Sequence, residues 1–328
     1  MIDLEKAMYH AAREGRIDAN ETLAFAREFE HIMSDVQMAE GIDLVARRIF
    51  PVIGEVPPED ESFTYRQAQA VGKAKIGSLR ATDIPTVSLA GKEFAAVVKN
   101  VMMGYVYDVD ELRKANKLGM SVDSLKGMAA RRAIAETEES VVFQGDSETG
   151  LKGIFDATGI LNPARVGAHT WDDVAVVPAD IIADVDALYN ATWDNTRGRD
   201  AGDTLVVGTI GWRQLNAVYQ SPTFKDDTVM SFLLRTKPWL KSIEHAAWLD
   251  DIGASSKERT LLFKRDPACI GVVIPLEFEQ SAPQLQGWAF HVGCRSKIGG
   301  VMVRKPRSVA WFDGAIAATG LTGGNTIG

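Results

Sequence analysis

Residues 62–107 read SFTYRQAQAVGKAKIGSLRATDIPTVSLAGKEFAAVVKNVMMGYVY. The β-branched and aromatic residues predict strands. A strand with one buried face alternates apolar and polar positions. The first half of this segment does not: Arg66, Gln67, Gln69, Lys73, Lys75, Ser78 and Arg80 distribute polar groups over both faces. The pattern predicts a long hairpin reaching away from its own core, with its tip near GKAKIG at 72–77. Arms of about 18 residues would span on the order of 60 Å at roughly 3.3 Å per residue. A two-stranded ribbon is not stable alone in water and leaves bare hydrogen-bonding edges. Something else must cover it. From Phe94 onward, Val97, Val98, Val101, Met102 and Met103 predict a return strand that enters a core.

On the N-terminal side, residues 3–49 read as helical, with Leu4, Met8, Ala11 and Ala12 at helical spacing and Asn20 as a possible cap for a second segment. The apolar stripe is too narrow for an independent core, which predicts a peripheral helical arm over 1–55. The stretch PVIGEVPPEDES at 51–62 then breaks the helix with prolines and carboxylates. After the hairpin, DVDELRKANKLG (108–119) predicts a short helix, with Asp108 and Glu111 at capping-box spacing and Gly119 as a terminator. SVDSLKGMAARRAIAETEESVVFQ predicts a long helix from 121 to 144. Its small, apolar and charged residues are spread around the axis, as in a helix contacted from several sides. From Pro178 the pattern becomes mixed: ADIIADVDALYNATW reads as a helix, DTLVVGTIGWRQLN as a strand running into a helix, DTVMSFLLRT as another helix. RTLLFKRD, CIGVVIPLEF and the run from Gly287 to Phe312 read as strands. The tail from 319 to 328 reads as flexible.

The length, 328 residues, suits about two domains of roughly 150 residues. A hydrophobic content of 46% and a charged content of 24% are those of an ordinary globular protein. The net charge of −8 argues against a nucleic-acid reader, which carries a basic stripe. No apolar run approaches the roughly 20 residues of a membrane span, and the amphipathic start is no signal peptide. Cys269 and Cys294 are far apart and predict reduced core residues. The five histidines form no ligand cluster, so no metal and no cofactor is expected. In VVFQGDSETGLKGIF (141–155), Gly145 and Gly150 have the glycine spacing of a phosphate loop, but Leu151 stands where lysine is needed. That loop also follows a helix, whereas a phosphate loop precedes one. Gly145, Gly150 and Gly153 are therefore read as the glycines of a sharp chain reversal. VVGTIGW at 206–212 lacks the dinucleotide fingerprint, no nucleophile elbow occurs, and Glu138 with Glu139 reads as a solvated or interface face of the long helix. No catalytic constellation emerges.

The order of parts carries more: a helical arm, a two-sided polar hairpin, a long helix ending in a GD…GLKGI turn, an α/β unit and closing strands. From about residue 50 to 314 this order resembles the major capsid proteins of tailed bacteriophages, the Hong Kong 97-type fold. The segment 81–123, with ATDIPTV before GYVYDVDEL, is similar to the capsid and encapsulin-like branch. FQGDSETGLKGIFDATGI resembles that family's turn after its spine helix, TLVVGTIGWRQLN its axial strand and helix, and IGGVMVRKPRSVAWFDGA its returning peripheral strand.

The resemblance implies an α+β fold with an N-terminal arm (1–55), an extended E-loop hairpin with return strand (56–104), a peripheral domain (105–177 with 286–318) around a spine helix, an axial domain (178–285) and a tail (319–328). It implies a non-enzymatic shell protein of a virion, assembled in the host's cytoplasm from pentamers and hexamers around double-stranded DNA. A separate scaffold, portal and decoration proteins are its further partners, and no membrane is involved. With the hairpin beginning near residue 60, no large N-terminal scaffolding region is expected. Arg66, Lys73, Lys75 and Arg80 are the candidate intersubunit contacts, against the alternative of solvated charges that keep an edge soluble. Lys6, Arg47 and Arg48 are weaker candidates for non-specific DNA contact. Some relatives crosslink an E-loop lysine to an asparagine; no matching Asn and Glu stand near the closing strand, so no crosslink is expected. An encapsulin-like compartment and a cytosolic α/β enzyme built on 178–290 are the alternatives.

Overall fold

The computed structural model describes residues 42–76, 86–117, 122–167, 169–171, 173, 175–219, 227–253 and 257–317. Two units are distinguished, one of residues 1–41 and 110–122, the other of 42–109 and 123–328. Most of the expected arm lies outside the described residues. Its last part is a single helical turn, α1 (Ala46–Ile49), followed by β1 (Val52–Ile53). The hairpin is β2 (Ser62–Val71) with β3 (Ser88–Val97), and the return strand is β4 (Lys99–Asp108).

The described part of the smaller unit lies mainly in α2 (Val109–Lys117), whose first residue belongs to the larger unit. Asp110 and Glu111 stand in its first turn and Lys114 and Lys117 in its last, each complementing the helix dipole. The long helix, expected over 121–144, is α3 (Val122–Gln144). It is followed by α4 (Pro178–Thr196), β5 (Thr204–Val207), α5 (Thr209–Leu215), the short pair β6 (Val218–Tyr219) and β7 (Asp227–Thr228), and α6 (Val229–Thr236). Pro178 at the first helical position starts α4 without losing a hydrogen bond, and Arg197 in a left-handed conformation closes it.

The remaining strands are β8 (Ser242–His245), β9 (Lys257–Phe263), β10 (Ile270–Val273), β11 (Leu276–Gln280), β12 (Gln284–Gln286), β13 (Ala289–Ile298), β14 (Val301–Val303) and β15 (Val309–Ala317). One sheet runs β15-β9-β5-β8, with β5 and β8 parallel and the other pairs antiparallel. Both of its faces are buried. Leu205, Val207, Leu262 and Phe312 pack with Val185 and Leu188 of α4 and Leu233 of α6. Val206, Leu261, Phe263 and Val309 face a second core with Ile49, Phe50 and the C-terminal end of α3. Burial on both sides is why TLVV and TLLF read as unbroken apolar runs.

A second sheet joins β11 and β12 to one side of β13 and β4 to the other, all ten residues of β4 pairing with β13 from Lys99↔Ile298 to Asp108↔Ala289. A third runs β1-β10-β14. Residues 270–280 pair with 294–303, and the closing strand β15 pairs with β9 in the sheet of β5 and β8. Composition along the chain is local, whereas strand partnership is decided by contacts far apart in sequence. Cys269 and Cys294 are both buried and reduced, as expected.

Candidate assembly interface

The hairpin is the feature that its own copy leaves unfinished. β2 and β3 pair antiparallel over ten positions, from Ser62↔Val97 to Val71↔Ser88, and neither pairs with a third strand among the described residues. Ten residues at roughly 3.3 Å each give paired arms of about 33 Å, half the expected reach; residues 77–85, between the arms, lie outside the described residues. The expected lack of alternation is also corrected at the base. Phe63, Tyr65 and Gln67 are half-buried while Ser62, Thr64 and Arg66 are exposed. Phe63 and Tyr65 pack on Ile53, Val273 and Met302, Tyr65 stacks on Phe94 at 5.3 Å, and the Gln67 side-chain amide donates to the Arg304 carbonyl. The base thus leans on its own body with one face.

Toward the tip this support ends. Residues 72–76 and 86–89 are exposed, among them Ile76 entirely, Val87 at 72% and Leu89 at 74%. Apolar side chains on a ribbon with two open edges are what a partner covers. Of the candidate contact residues, Lys73 and Lys75 stand exposed on this segment. Arg66 lies lower, directly across from Glu93, and its Nε donates to Glu93 Oε1 at 2.6 Å. Arg80 lies outside the described residues.

Where the chain enters the body, the structure corrects the reading of Glu138 and Glu139. Both are buried, not solvated. Glu139 Oε1 accepts the backbone N–H groups of Val45 and Ala46 at 2.7 and 3.2 Å, so a carboxylate of α3 caps the N-terminus of α1 from outside. Burial pushes the Glu139 carboxyl above its ordinary value, against the two N–H groups. Glu138 accepts from Ser296 Oγ at 2.6 Å and pairs with Arg47 at 2.7 Å, while Arg47 also reaches Glu277 at 2.6 Å. Arg48 pairs with Glu244 at 3.4 Å. Both arginines have ion-pair partners within their own chain. Lys6 lies outside the described residues. Sequence alone missed this clasp because neighbouring glutamates on a helix are usually solvated.

The turn after α3 is self-bonded. Gly145 and Gly150 have φ of +71° and +77°, the left-handed region that favours glycine. Gly153 differs from the expected left-handed turn residue: its backbone is extended, at φ −80° and ψ −179°. It is glycine for lack of space, since a Cβ there would sit 2.6 Å from the Gly145 nitrogen. Asp146 Oδ2 accepts Thr149 Oγ1 at 2.6 Å and Oδ1 accepts the Glu148 N–H at 3.0 Å, bonds that hold its carboxyl below the ordinary value. Asp156 Oδ2 accepts the Gly153 N–H at 2.8 Å. The Glu148 and Gly153 amides are thus used by the loop's own side chains.

Glu258 is a strongly perturbed carboxyl. It is 1% exposed and accepts the N–H groups of Gly208, Ile210 and Gly211 at the start of α5. Burial, with Asp250 nearby, pushes it up to about 7 despite those donors. It lies within the packed sheet, where it caps a helix from another strand. Among the described residues no group of three His, Cys, Asp or Glu side chains could hold a metal, and no helix is long and apolar enough to cross a membrane.

Comparison with known proteins gives the fold and the family. The capsid of Myoviridae phage XM1 superposes with a TM-score of 0.73 at 16% identity, over 88% of this chain and 98% of that one. The capsid of an empty GTA particle gives 0.62 at 12% identity, over 90% and 99%. A virus-like particle from Pyrococcus furiosus gives 0.52 at 15% identity, over 81% and 90%. At these identities the likeness is one of fold. No curated protein sequence gives a significant match. The family described as major capsid protein matches residues 72–315, well over half of the chain and inclusive of the hairpin tip, the long helix and the closing strand. This chain belongs to the major capsid protein family, and its work is structural rather than enzymatic.

Proposed function

We propose that copies of this capsid protein close, as pentamers and hexamers, into the icosahedral shell that encloses the double-stranded DNA of a tailed phage. The observation that carries the reading is the hairpin: a two-stranded ribbon with open edges and exposed Ile76, Val87 and Leu89 has no shelter within its own described chain. In a closed ring of identical copies, each hairpin lies on the next subunit, a heterologous contact that repeats until it closes. Lys73 and Lys75, exposed on the same segment, meet that neighbour. Obligate contacts of this kind bury roughly 2,000 to 5,000 Å². Packaged DNA meets the shell through non-specific, salt-dependent contacts.

Rate-zonal sedimentation and negative-stain microscopy of the purified chain test the reading. Megadalton shells are expected, and when they are recovered from lysed host cells they hold nuclease-protected DNA. A chain that remains a monomer or small oligomer at assembly concentrations refutes the shell, and shells filled with a co-purifying enzyme instead of DNA refute the virion.

A further inference from the structure

The acidic stretch before the hairpin faces solvent, and an open cleft of about 1140 Å³ lies under the hairpin's inner face. The cleft is bounded by the hairpin, by the end of α4 and by residues 304–307. Its lining includes five cationic residues, Arg66, Lys92, Arg304, Lys305 and Arg307, against one carboxylate, Asp200, although the Arg66 side chain lies with Glu93 on the outer face of the ribbon. Three of the five are engaged within the chain: Arg66 by Glu93, Arg304 by Glu55 at 3.4 Å, and Lys305 by Asp200 at 2.9 Å. Lys92 and Arg307 have no ion pair among the described residues. In a protein of net charge −8 this is a local reversal of sign.

The complementary surface is the turn Pro57–Pro58–Glu59–Asp60–Glu61. All five residues are exposed, and the three carboxylates have no hydrogen bond or ion pair among the described residues. The turn is nonetheless held in shape. The Asp60 N–H donates to the Pro57 carbonyl at 3.2 Å, the Glu61 carbonyl accepts the Val98 N–H at 2.8 Å, and the two prolines fix their own φ angles. A preorganised turn loses little entropy when it docks. Within one copy Glu55, just before the turn, reaches Arg304 at the rim of the cleft.

We infer that the basic cleft at the foot of the hairpin receives the acidic turn Glu59–Glu61 of an adjacent copy. The inference rests on the shell reading above. It makes the contact heterologous, cleft to turn around each ring, as closure requires. A walled cleft of this size takes a peptide turn and excludes a DNA duplex, which is why the occupant is protein. Exposed charges at such a contact set orientation and encounter rate more than affinity. The pairing therefore fixes the register between neighbours, while buried apolar contacts supply most of the attraction.

Charge reversal tests it. Lys92→Glu with Arg307→Glu, or Glu59→Lys with Glu61→Lys, each lowers shell yield at low salt by about tenfold or more, because like charges then face each other. All four together restore the yield. A third variant, Glu59→Cys with Arg307→Cys, forms disulfide-linked multimers on oxidation, seen as a ladder on a non-reducing gel; the two native cysteines are buried. Circular dichroism confirms that the exposed substitutions leave each variant folded. Wild-type yield from either reversed pair, failure of the fourfold variant to recover, or a disulfide formed only within one chain overturns the inference. The shell reading falls separately, if the unaltered chain itself forms no shells.

Discussion

Consider a chain in which residues 69–90 are replaced by Asn-Gly, so that Ala68 and Gly91, register partners in the native hairpin, flank a two-residue turn. The shortened hairpin keeps Phe63, Tyr65, Gln67 and Phe94, and with them its contacts to Ile53, Val273 and Met302. It loses Ile76, Val87 and Leu89, none of which its own copy buries. The unfolding free energy of the subunit is therefore expected to change by less than about 1 kcal/mol. Assembly is expected to change far more. Burying three such side chains on a neighbour contributes roughly 4 to 9 kcal/mol per copy before ordering costs. At about 1.4 kcal/mol per factor of ten, even the lower figure is about a thousandfold in each contact. Urea denaturation of dilute subunits measures the first quantity, and sedimentation velocity with negative-stain microscopy the second. Shells of native size and yield from the shortened chain would show that the tip needs no neighbour, and would refute the reasoning from exposure to assembly.

Three further outcomes are expected. Gly153→Ala lowers unfolding free energy by about 1 to 3 kcal/mol, because its Cβ would meet the Gly145 nitrogen at 2.6 Å, whereas Gly54→Ala, with nothing within 4 Å, stays within about 0.5 kcal/mol; equal effects in urea titrations would contradict the crowding argument. Glu139→Leu leaves the N–H groups of Val45 and Ala46 unpaired and costs about 2 to 4 kcal/mol, so an unchanged denaturation midpoint would show that the clasp is dispensable. For Glu258, the folded value of about 7 lies above the ordinary 4.5. Its stabilising share is therefore fully present below about pH 4.5 and lost as pH rises through 7, by at most about 3 kcal/mol. Glu139 shifts in the same direction, so the informative quantity is the difference from Glu258→Gln, whose stability should fall less between pH 5 and 8; parallel pH profiles would rule out Glu258 as the source.

How much of this was legible beforehand differs by element. α3 was readable almost to the residue, since no proline interrupts it, its one interior glycine is Gly127, and Gly145 stops it. The strand-to-helix step at 204–215 was also readable, from an apolar run closed by Gly208. Arm length and facing in the hairpin were not. Phe63, Tyr65 and Gln67 alternate with polar residues too, and only Ile53, Val273, Met302 and the Arg304 carbonyl reveal which side is covered. Glu138 and Glu139 were misread because their partners, Val45, Ala46, Arg47 and Ser296, come from positions about 90 residues before and 158 residues after them. The cleft was invisible for the same reason, since its cations are scattered from 66 to 307.

Local chemistry, then, was enough to determine most of the helix and strand segments and that a ribbon would reach beyond the core. These follow from periodicity, glycine and proline placement, and residue type within a few positions. The tertiary structure alone decided which strand lies beside which, which carboxylates are buried, and which face of the ribbon its own body leaves uncovered. Each of those depends on backbone and side-chain contacts between residues tens to hundreds of positions apart, and no local pattern encodes such partners.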